Sequence, residues 1–588
     1  MAMNNSYSSM IDNANIYETV QGLTPYATPH NLNYQVTGTG DMGILYPQFY
    51  MPCIPGDKVQ LNAELVMRLQ PHLAPLMHEI TAKITYFFVP YRLLWKGDKW
   101  YNNWETWITG AVEGTEISKW NEENPDEKIE YPNIDEIKWN PYIRYSMYGV
   151  PAKGTNALAA GIGTIWESLG LPYKDQIIKE PATTNQPIDL PKRAYNKVWN
   201  DWYRDQNIQR PVHLQNDHLL RINWARDRFT SAGYEQQKGV APVISSLGNM
   251  QIVPKNPYPI NVGIENASGM NIHASMAAGS GLRNIQTSDA SNQNIQDVRW
   301  GIDSYTMANA LQIDQTTGSG FNVSDLRLLI ALQKAMEIDM RTGSRYFEYI
   351  KTNFNSSPRN DALQRAEYIG QITTPVQMAE VLQTSATETN SALGEMAGHG
   401  LAVNHGGQDK KYYCQEHGMI IGILTVVPRP QYQQGLPADL LINSKYDIYR
   451  PQFAYLSEEP IKNAEVYYTG DSYKDEEVWG FNGRWDHMRI RHHKVTGLMR
   501  ADVNQNLSFW NLARYFKNTP NLNREFLECK PRKDWLVVPD QPALLYTIGW
   551  KCWAERKIPA TSEPGLLDHV YGEGRGGNIV PRLGNSLR

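Results

Sequence analysis

Cysteine is scarce in this chain of 588 residues, which has only Cys53, Cys414, Cys529 and Cys552. No two of them form a C-x-x-C pair, which argues against a zinc ribbon and against a redox motif, and a reducing cytoplasm is the simplest setting. The N-terminal residues lack the basic start and apolar segment of a secretory signal, and the longest apolar run, 419–427, is too short to span a bilayer. We therefore expect neither export by a standard signal nor membrane insertion.

Sequence motifs of enzymes are also missing: the chain has no G-x-S-x-G elbow, no Walker loop and no H-E-x-x-H motif. The glycine cluster at 572–577 follows no strand-to-helix pattern, which argues against a phosphate-binding loop. His487, His492 and His493 lie close together, but no carboxylate or cysteine at metal-ligand spacing accompanies them. The sequence thus predicts no catalytic residue, no cofactor and no metal site, and hence no enzyme.

What the chain does contain is enough apolar material for a large core, with 41% hydrophobic and 20% charged residues. Its aromatic residues are mainly 34 Tyr and 17 Trp against 12 Phe. Rings with a polar group suit interfaces, where one end is buried and the other meets water or a partner. The alternative is that these rings only fill a large β core.

Apolar and polar residues alternate, or apolar residues run together, in five segments that predict β-strands: 59–65, 84–89, 417–427, 447–456 and 543–553. The second of these is apolar apart from Thr85 and is predicted to be buried on both faces. Turns rich in Pro and Gly separate the later strands. The pattern is typical of an all-β protein, an antiparallel barrel or sandwich with long insertions.

The segments between the strands differ in composition and in residue pattern. Residues 194–203 have helical spacing with an aromatic face that is predicted to be core, and a second helix is predicted from Ser324 to Arg341. An acidic stretch occupies 96–186. Residues 230–318 are rich in Gly, Ser, Ala and Asn and are predicted to be a surface excursion. The sequence therefore predicts long, partly helical loop insertions between the strands.

The ends of the chain predict three parts. Residues 1–50, without periodicity, predict an extended N-terminal arm. Residues 51–571 are predicted to form the β domain with its insertions, and 572–588 a basic C-terminal tail.

Basic residues concentrate in one run that holds a single aromatic residue. Such a composition can bind single-stranded nucleic acid through phosphate contacts and base stacking, and a flexible basic tail can add to it. The alternatives are a solvated face or a subunit contact. The candidates are Arg484, Trp485, Arg489, Arg491 and Lys494 in the run, and Arg575, Arg582 and Arg588 in the tail.

Six segments in order resemble the major capsid proteins of the Microviridae, nearer to the gokushovirus-like branch than to the enterobacterial one. They begin with IPGDKVQLNAELVMRLQPHLAPLMHEITAKITYFFVPYRLLW and include RAYNKVWNDWYRDQNI and the closing PALLYTIGWKCWAERKIP. Each is moderately specific, but their order and spacing together are strongly so. The segments are 54–95, 193–208, 324–354, 381–400, 417–436 and 542–559.

The resemblance implies an eight-stranded antiparallel jelly roll of the viral capsid type, which assembles into a T=1 icosahedral shell around a single-stranded DNA genome. It also implies that 230–318 is a surface protrusion for host attachment. Since the net charge is −5, we expect a small basic DNA-binding or scaffolding protein as partner, besides a pilot or minor spike-type protein and a host cell-surface receptor.

We accordingly expect the chain in the virion, after assembly in the bacterial host cytoplasm. Two other functions stay open at this point. One is a carbohydrate-binding or carbohydrate-active β protein, because exposed Trp and Tyr also stack on sugars. The other is a phage appendage protein.

Overall fold

The computed structural model describes residues 26–96, 102–109, 164–170, 188–239, 252–254, 261–265, 271–275, 311–313, 323–341, 345–355, 357, 359–382 and 396–559. The chain divides into two compact units, the first comprising Met1–Gln236 and Met340–Arg588 and the second Gln237–Asp339.

The described part of the chain is mostly antiparallel β-structure. Its strands are β1 (Thr28–Asn31), β2 (Tyr34–Gly40), β3 (Tyr46–Cys53), β4 (Lys58–Leu69), β5 (Ile80–Pro90), β6 (Ile252–Pro254), β7 (Asn261–Glu265), β8 (Asn271–Ser275), β9 (Leu311–Ile313), β10 (Glu367–Pro375), β11 (Gln377–Leu382), β12 (Met396–Asn404), β13 (Lys410–Tyr413), β14 (Gly418–Pro428), β15 (Gln431–Tyr432), β16 (Glu458–Lys462), β17 (Val478–Gly483), β18 (His493–Lys494) and β19 (Leu544–Arg556).

Helices are mostly short. They are α1 (Trp104–Thr109), α2 (Ile165–Ser168), α3 (Leu190–Val198), α4 (Val323–Arg341), α5 (Tyr346–Phe354), α6 (Asn463–Val466), α7 (Ser472–Glu476), α8 (Asp486–Arg489) and α9 (Arg524–Leu527). A π-helical turn, Trp199–Tyr203, continues α3, and 3₁₀ turns occupy Tyr91–Leu93, Ala438–Leu440, Pro451–Phe453, Gly497–Met499 and Ser508–Trp510. No helix among these described segments is long and apolar enough to cross a membrane.

Two sheets dominate the first unit. The larger has seven strands in the order β1-β19-β4-β12-β11, with β2 also paired to β19 and β13 to β4. The smaller has four strands in the order β10-β5-β14-β3. The longest pairings, β4 with β19 and β5 with β14, are antiparallel and lie inside their sheets. The first unit also contains two small two-stranded ribbons, β15-β18 and β16-β17.

The inner faces of the two sheets share one apolar core. Every second residue of β4, from Val59 to Leu69, is buried, as the alternation of the sequence predicts. Trp550 from β19 meets rings from the other sheet: its ring centroid lies 5.1 Å from that of Phe49 and 5.9 Å from that of Tyr86. The sheets therefore pack face to face, since offset and edge-on ring contacts of this kind require close approach.

The outer face of the smaller sheet has a second core. Phe87 and Val89 of β5, with Met419, Ile421 and Ile423 of β14, cluster with the aromatic face of α3. This explains why β5 is apolar at every position near its end, and it confirms the prediction of a strand buried on both faces. The predicted helix at 194–203 is confirmed too, with its aromatic face in the core. Burial of each such large side chain contributes about 1.5–3 kcal/mol.

The later strands of the sequence analysis are confirmed at β14 and β19, but the strand expected at 447–456 is wrong. This segment consists of turns and the 3₁₀ turn Pro451–Phe453. The carboxylate of Asp447 accepts hydrogen bonds from the backbone N–H groups of Asn443 and Ser444, at 2.9 and 2.8 Å, which closes a turn. Pro451 lacks the N–H that a ladder requires. Local polar contacts therefore outweigh the β propensity of the Tyr and Ile residues.

The boundary of the predicted arm at residue 50 also needs correction. From Thr28 onward the chain forms β1 and β2, which pair with β19, and then β3, which pairs with β14. Gly, Thr and Pro in these strands hide the β pattern, but pairing with long central strands satisfies their backbone groups. Residues 1–25 and the tail 572–588 lie outside the described residues.

The second unit holds the ribbons β6-β9 and β7-β8 and most of α4. The predicted helix from Ser324 is confirmed, since α4 begins one residue earlier, at Val323. Leu328 and Ile330 on α4 are 67% and 61% exposed. The boundaries of the predicted insertions, 96–186 and 230–318, stay a prediction, and most of 96–186 lies outside the described residues.

Candidate functional site

The aromatic residue of the basic run, Trp485, is a packing residue. It has a left-handed backbone, with φ of 68°, at the start of α8, and only 3% of it is exposed. Its ring centroid lies 5.3 Å from that of Tyr449, and its Nε1 donates to the carbonyl oxygen of Phe453 at 3.3 Å. The prediction that Trp485 stacks on a base is therefore corrected, because its ring is buried and packs against other residues of the protein.

Arg484 is equally committed to neighbouring side chains. Its guanidinium lies 5.4 Å from the ring centroid of Phe453 and 5.1 Å from that of Trp485. Its backbone N–H donates to the carbonyl of Ser457 at 2.8 Å. Stacked cation–π contacts of this kind stabilise by about 0.5–2 kcal/mol. Arg484 thus helps to hold the segment before β16 onto the turn after β17.

The three remaining cations of the run are exposed. Arg489 donates to Asp486 at 2.6 Å and Arg491 to Asp439 at 2.6 Å, with 52% and 74% of their side chains exposed. Lys494 lies exposed on β18. Exposed ion pairs contribute only about 0–1 kcal/mol, so a phosphate can replace either carboxylate at small cost. Nucleic-acid contact by these three residues stays a prediction, and Arg575, Arg582 and Arg588 lie outside the described residues.

The ionisable side chains that pack near the run are held by contacts within the protein. Arg228 forms a buried ion pair with Glu465, and burial raises the pKa of that carboxyl although Arg228 opposes the rise. His487 lies 3.1 Å from Glu459. Burial lowers the pKa of His492, whose ring packs 5.1 Å from that of Phe229, and the nearby charge of Arg228 lowers it further. These histidines have structural roles, and the described residues contain no group of three or more ligands that could hold a metal ion.

A polar groove of about 440 Å³, which sequence reasoning missed, lies between Trp224 and the segment 512–532. Arg514 on its wall is already engaged: it donates to the carbonyl of Phe526 at 2.6 Å, and its guanidinium lies 4.0 Å from that ring. Lys517 and Lys530 share the lining with Glu525 and Glu528. All of its lining residues except Trp224 lie within 512–532, but their charges are mixed and they form no known motif, so no local pattern indicated this groove.

The four cysteines are free and buried. Cys53 and Cys414 are neighbours, and the hydrogen bond between them together with burial raises the pKa of the Cys53 thiol. Burial likewise raises the pKa of Cys552 to about 12. Neutral, shielded thiols of this kind act as small apolar side chains and not as nucleophiles.

Comparison with known proteins gives a consistent result. A family described as Capsid protein (F protein) matches residues 19–128 and 147–566. The Capsid protein VP1 of Bdellovibrio phage phiMH2K is 29% identical over 538 residues, which cover 88% of this chain and 91% of that protein. Capsid protein VP1 of Chlamydia phage 1 is 28% identical, with 90% and 94% covered, and that of Spiroplasma virus 4 is 26% identical, with 90% and 93% covered. The chain therefore belongs to the Capsid protein (F protein) family of phage structural proteins, as its resemblance to the Microviridae capsid proteins indicated, and it is not an enzyme.

Proposed function

We propose that the chain is the major capsid subunit that assembles with copies of itself into a T=1 icosahedral shell around a single-stranded DNA genome. The observation that carries this proposal is the match to capsid proteins over nearly the full length of the chain and of its relatives. A match of this extent includes both sheets and the long segments between them. Its place is then the virion, after assembly in the bacterial cytoplasm.

The strand order supports an eight-stranded jelly roll within this fold. Taken in chain order, the eight strands are β2, β3, β4, β5, β10, β12, β14 and β19. The first pairs with the last, the second with the seventh, the third with the sixth and the fourth with the fifth, all antiparallel. Pairing of β19 with β4 and of β14 with β5 then joins them into two sheets. A long antiparallel ribbon rolled into a sandwich has this nested order.

Host attachment by the insertion at 230–318 is the second part of the proposal. Both long insertions lie between β5, which ends at Pro90, and β10, which begins at Glu367. The compact second unit, Gln237–Asp339, supports a separate body inserted in this connection. Loops tolerate length changes cheaply. Deletion of about 240–300 should leave assembly intact and reduce adsorption to host cells, and loss of folded subunit would contradict this.

Genome binding is the third part. A subunit of net charge −5 cannot neutralise DNA by bulk charge, so a small basic partner protein supplies most cations and local contacts add to it. Arg489, Arg491 and Lys494 are the exposed candidates of the run. A pilot or minor spike-type protein completes the particle.

The genome contact is tested by replacing these three cations with alanine. DNA retention by the particles should fall, because each lost phosphate-binding cation removes favourable counterion release, and the slope of log affinity against log salt should become shallower by about 0.7 per cation for single strands. The control is Arg359→Ala, because Arg359 is also an exposed arginine paired with a nearby aspartate, Asp361, and is 70% exposed. Equal DNA retention by the triple variant and the control would overturn the proposed genome contact of these three residues.

Electron microscopy tests the shell itself. The chain is expressed with its companion gene products and the particles are imaged. We expect closed icosahedral particles with one copy per asymmetric unit. A fibre would restore the appendage hypothesis, and a stable monomer under the same conditions would overturn the capsid proposal.

A further inference from the structure

An apolar surface lies on the segment where a strand was expected. We call it the apolar loop surface and define it as residues 440–456 with Met488 and Ile490. Its large side chains are unusually exposed: Leu440 by 72%, Ile448 by 55% and Tyr455 by 98%. Leu456, Met488 and Ile490 add 51%, 51% and 44%. Scattered apolar residues on a surface are ordinary, but several of them on one loop and on the run bonded to it by Arg491 and Asp439 are typical of a contact site.

This surface is held in shape from below. Phe453, Trp485 and Arg484 form a stacked anchor, and the Tyr446 ring lies 6.1 Å from that of Phe453. The loop and the run are also joined at the other end, where Arg491 bonds to Asp439. The anchor leaves the outward side chains exposed while fixing the backbone that carries them. A preorganised loop loses little entropy when a partner covers it.

The size and chemistry of the surface fit a protein partner. Nine of its large side chains are at least 44% exposed, so the surface presents several hundred Å² of mostly apolar area, on the order of the ~800 Å² that each partner contributes to a standard interface. Charges of both signs surround it, with Lys445 and Arg450 beside the ring of Tyr446 and the aspartates Asp439 and Asp447 nearby. An apolar centre with a mixed polar rim is typical of protein interfaces. Nucleic acid would favour cations without the apolar centre.

We propose that the apolar loop surface is a contact between subunits, covered in the particle by a second copy of this chain. This rests on the proposed function, because a shell subunit meets copies of itself on every side and an uncovered patch of this size promotes non-specific association. The run 484–494 then serves partly as the foundation of that contact.

Cysteine labelling tests the proposal without disturbing the fold. Ile448→Cys and Tyr455→Cys are compared with Tyr473→Cys, since Tyr473 is 87% exposed but lies outside the apolar loop surface. The native cysteines are buried, so background labelling by a maleimide is low. We expect the two surface cysteines to react quickly in free subunits and at least about tenfold more slowly in particles, a ratio that corresponds to about 1.4 kcal/mol. Tyr473→Cys should react alike in both.

Assembly of particles is the second readout. Ile448→Asp should lower particle yield by roughly tenfold or more, because it places a charge in an apolar contact, while circular dichroism shows a folded subunit. Equal labelling in particles and free subunits, or normal yield of Ile448→Asp particles, would overturn the subunit contact but leave the capsid proposal standing. Protection that needs another gene product would assign the surface to that protein instead. Failure of the wild-type chain to form particles would overturn the proposed function itself.

Discussion

Two buried tyrosines allow the value of a single hydroxyl to be measured. Tyr195 on α3 and Tyr86 on β5 are both 0% exposed. The hydroxyl of Tyr195 donates to the carbonyl of Leu45 at 3.0 Å and accepts from the N–H of Leu220 at 2.8 Å. No described residue forms a hydrogen bond with the hydroxyl of Tyr86. Replacement by phenylalanine removes the same atom from equally buried sites with different partners.

The two replacements should have different effects on the free energy of unfolding. Tyr195→Phe loses a hydrogen bond of about 1 kcal/mol and leaves the Leu220 N–H buried without its acceptor, which costs about 1–3 kcal/mol more, so we expect a loss of about 2–4 kcal/mol. Tyr86→Phe removes a hydroxyl whose desolvation nothing offsets, so the change should lie between zero and a gain of about 2 kcal/mol.

Urea unfolding of the unassembled subunit, followed by tryptophan fluorescence, measures both changes when the slopes of the transitions agree. Circular dichroism provides a second probe, and coincident transitions show that one free energy describes the unfolding. The reasoning would be refuted if Tyr86→Phe shifted the midpoint downward as far as Tyr195→Phe does.

Two further predictions concern backbone and pH. Gly43 and Gly470 both have positive φ, 80° and 82°, but a Cβ added to Gly43 would overlap the carbonyl oxygen of Cys529, whereas no atom lies within 4 Å of a Cβ added to Gly470. Gly470→Ala should therefore lower the free energy of unfolding by about 1–2 kcal/mol and Gly43→Ala by clearly more. Equal losses in urea unfolding would contradict this. Burial lowers the pKa of His78, which bonds to the carbonyl of Arg429, to about 4. Because the unfolded state then binds the proton more readily, stability should fall by up to about 3 kcal/mol as pH drops from about 6.5 toward 4, and an identical pH dependence of the urea midpoint in His78→Gln would argue against His78 as the cause.

Local patterns predicted the elements that pack through regular faces. The alternation in β4, the apolar run of β5 and the aromatic face of α3 each correspond to one buried surface, and the structure has all three. The failures occur where tertiary contacts or local polar bonds outweigh propensity. Residues 447–456 look like a strand but are held in turns by Asp447, and β2 looks irregular but is held by β19.

The candidate site divides in the same way. Composition alone indicated the run 484–494, and it indicated both nucleic acid and a subunit contact. Only the structure separates its members, because Trp485 and Arg484 are packed inward while Arg491 and Lys494 are exposed. Burial depends on what lies above a residue, and the covering residues, such as Tyr449 and Phe453, are distant in sequence from the run.

The sequence by itself determined the class of the protein: all-β strands with long insertions, no enzyme motif, and a family resemblance that depends on the order of short segments. Those properties depend on neighbouring residues, or on the composition and order of segments along the whole chain. The tertiary structure alone decided which strands pair, since β2 meets β19 and β3 meets β14 across almost the whole chain, and which apolar side chains stay exposed. Pairing and exposure are set by contacts between residues hundreds of positions apart, and no local pattern of side chains records them.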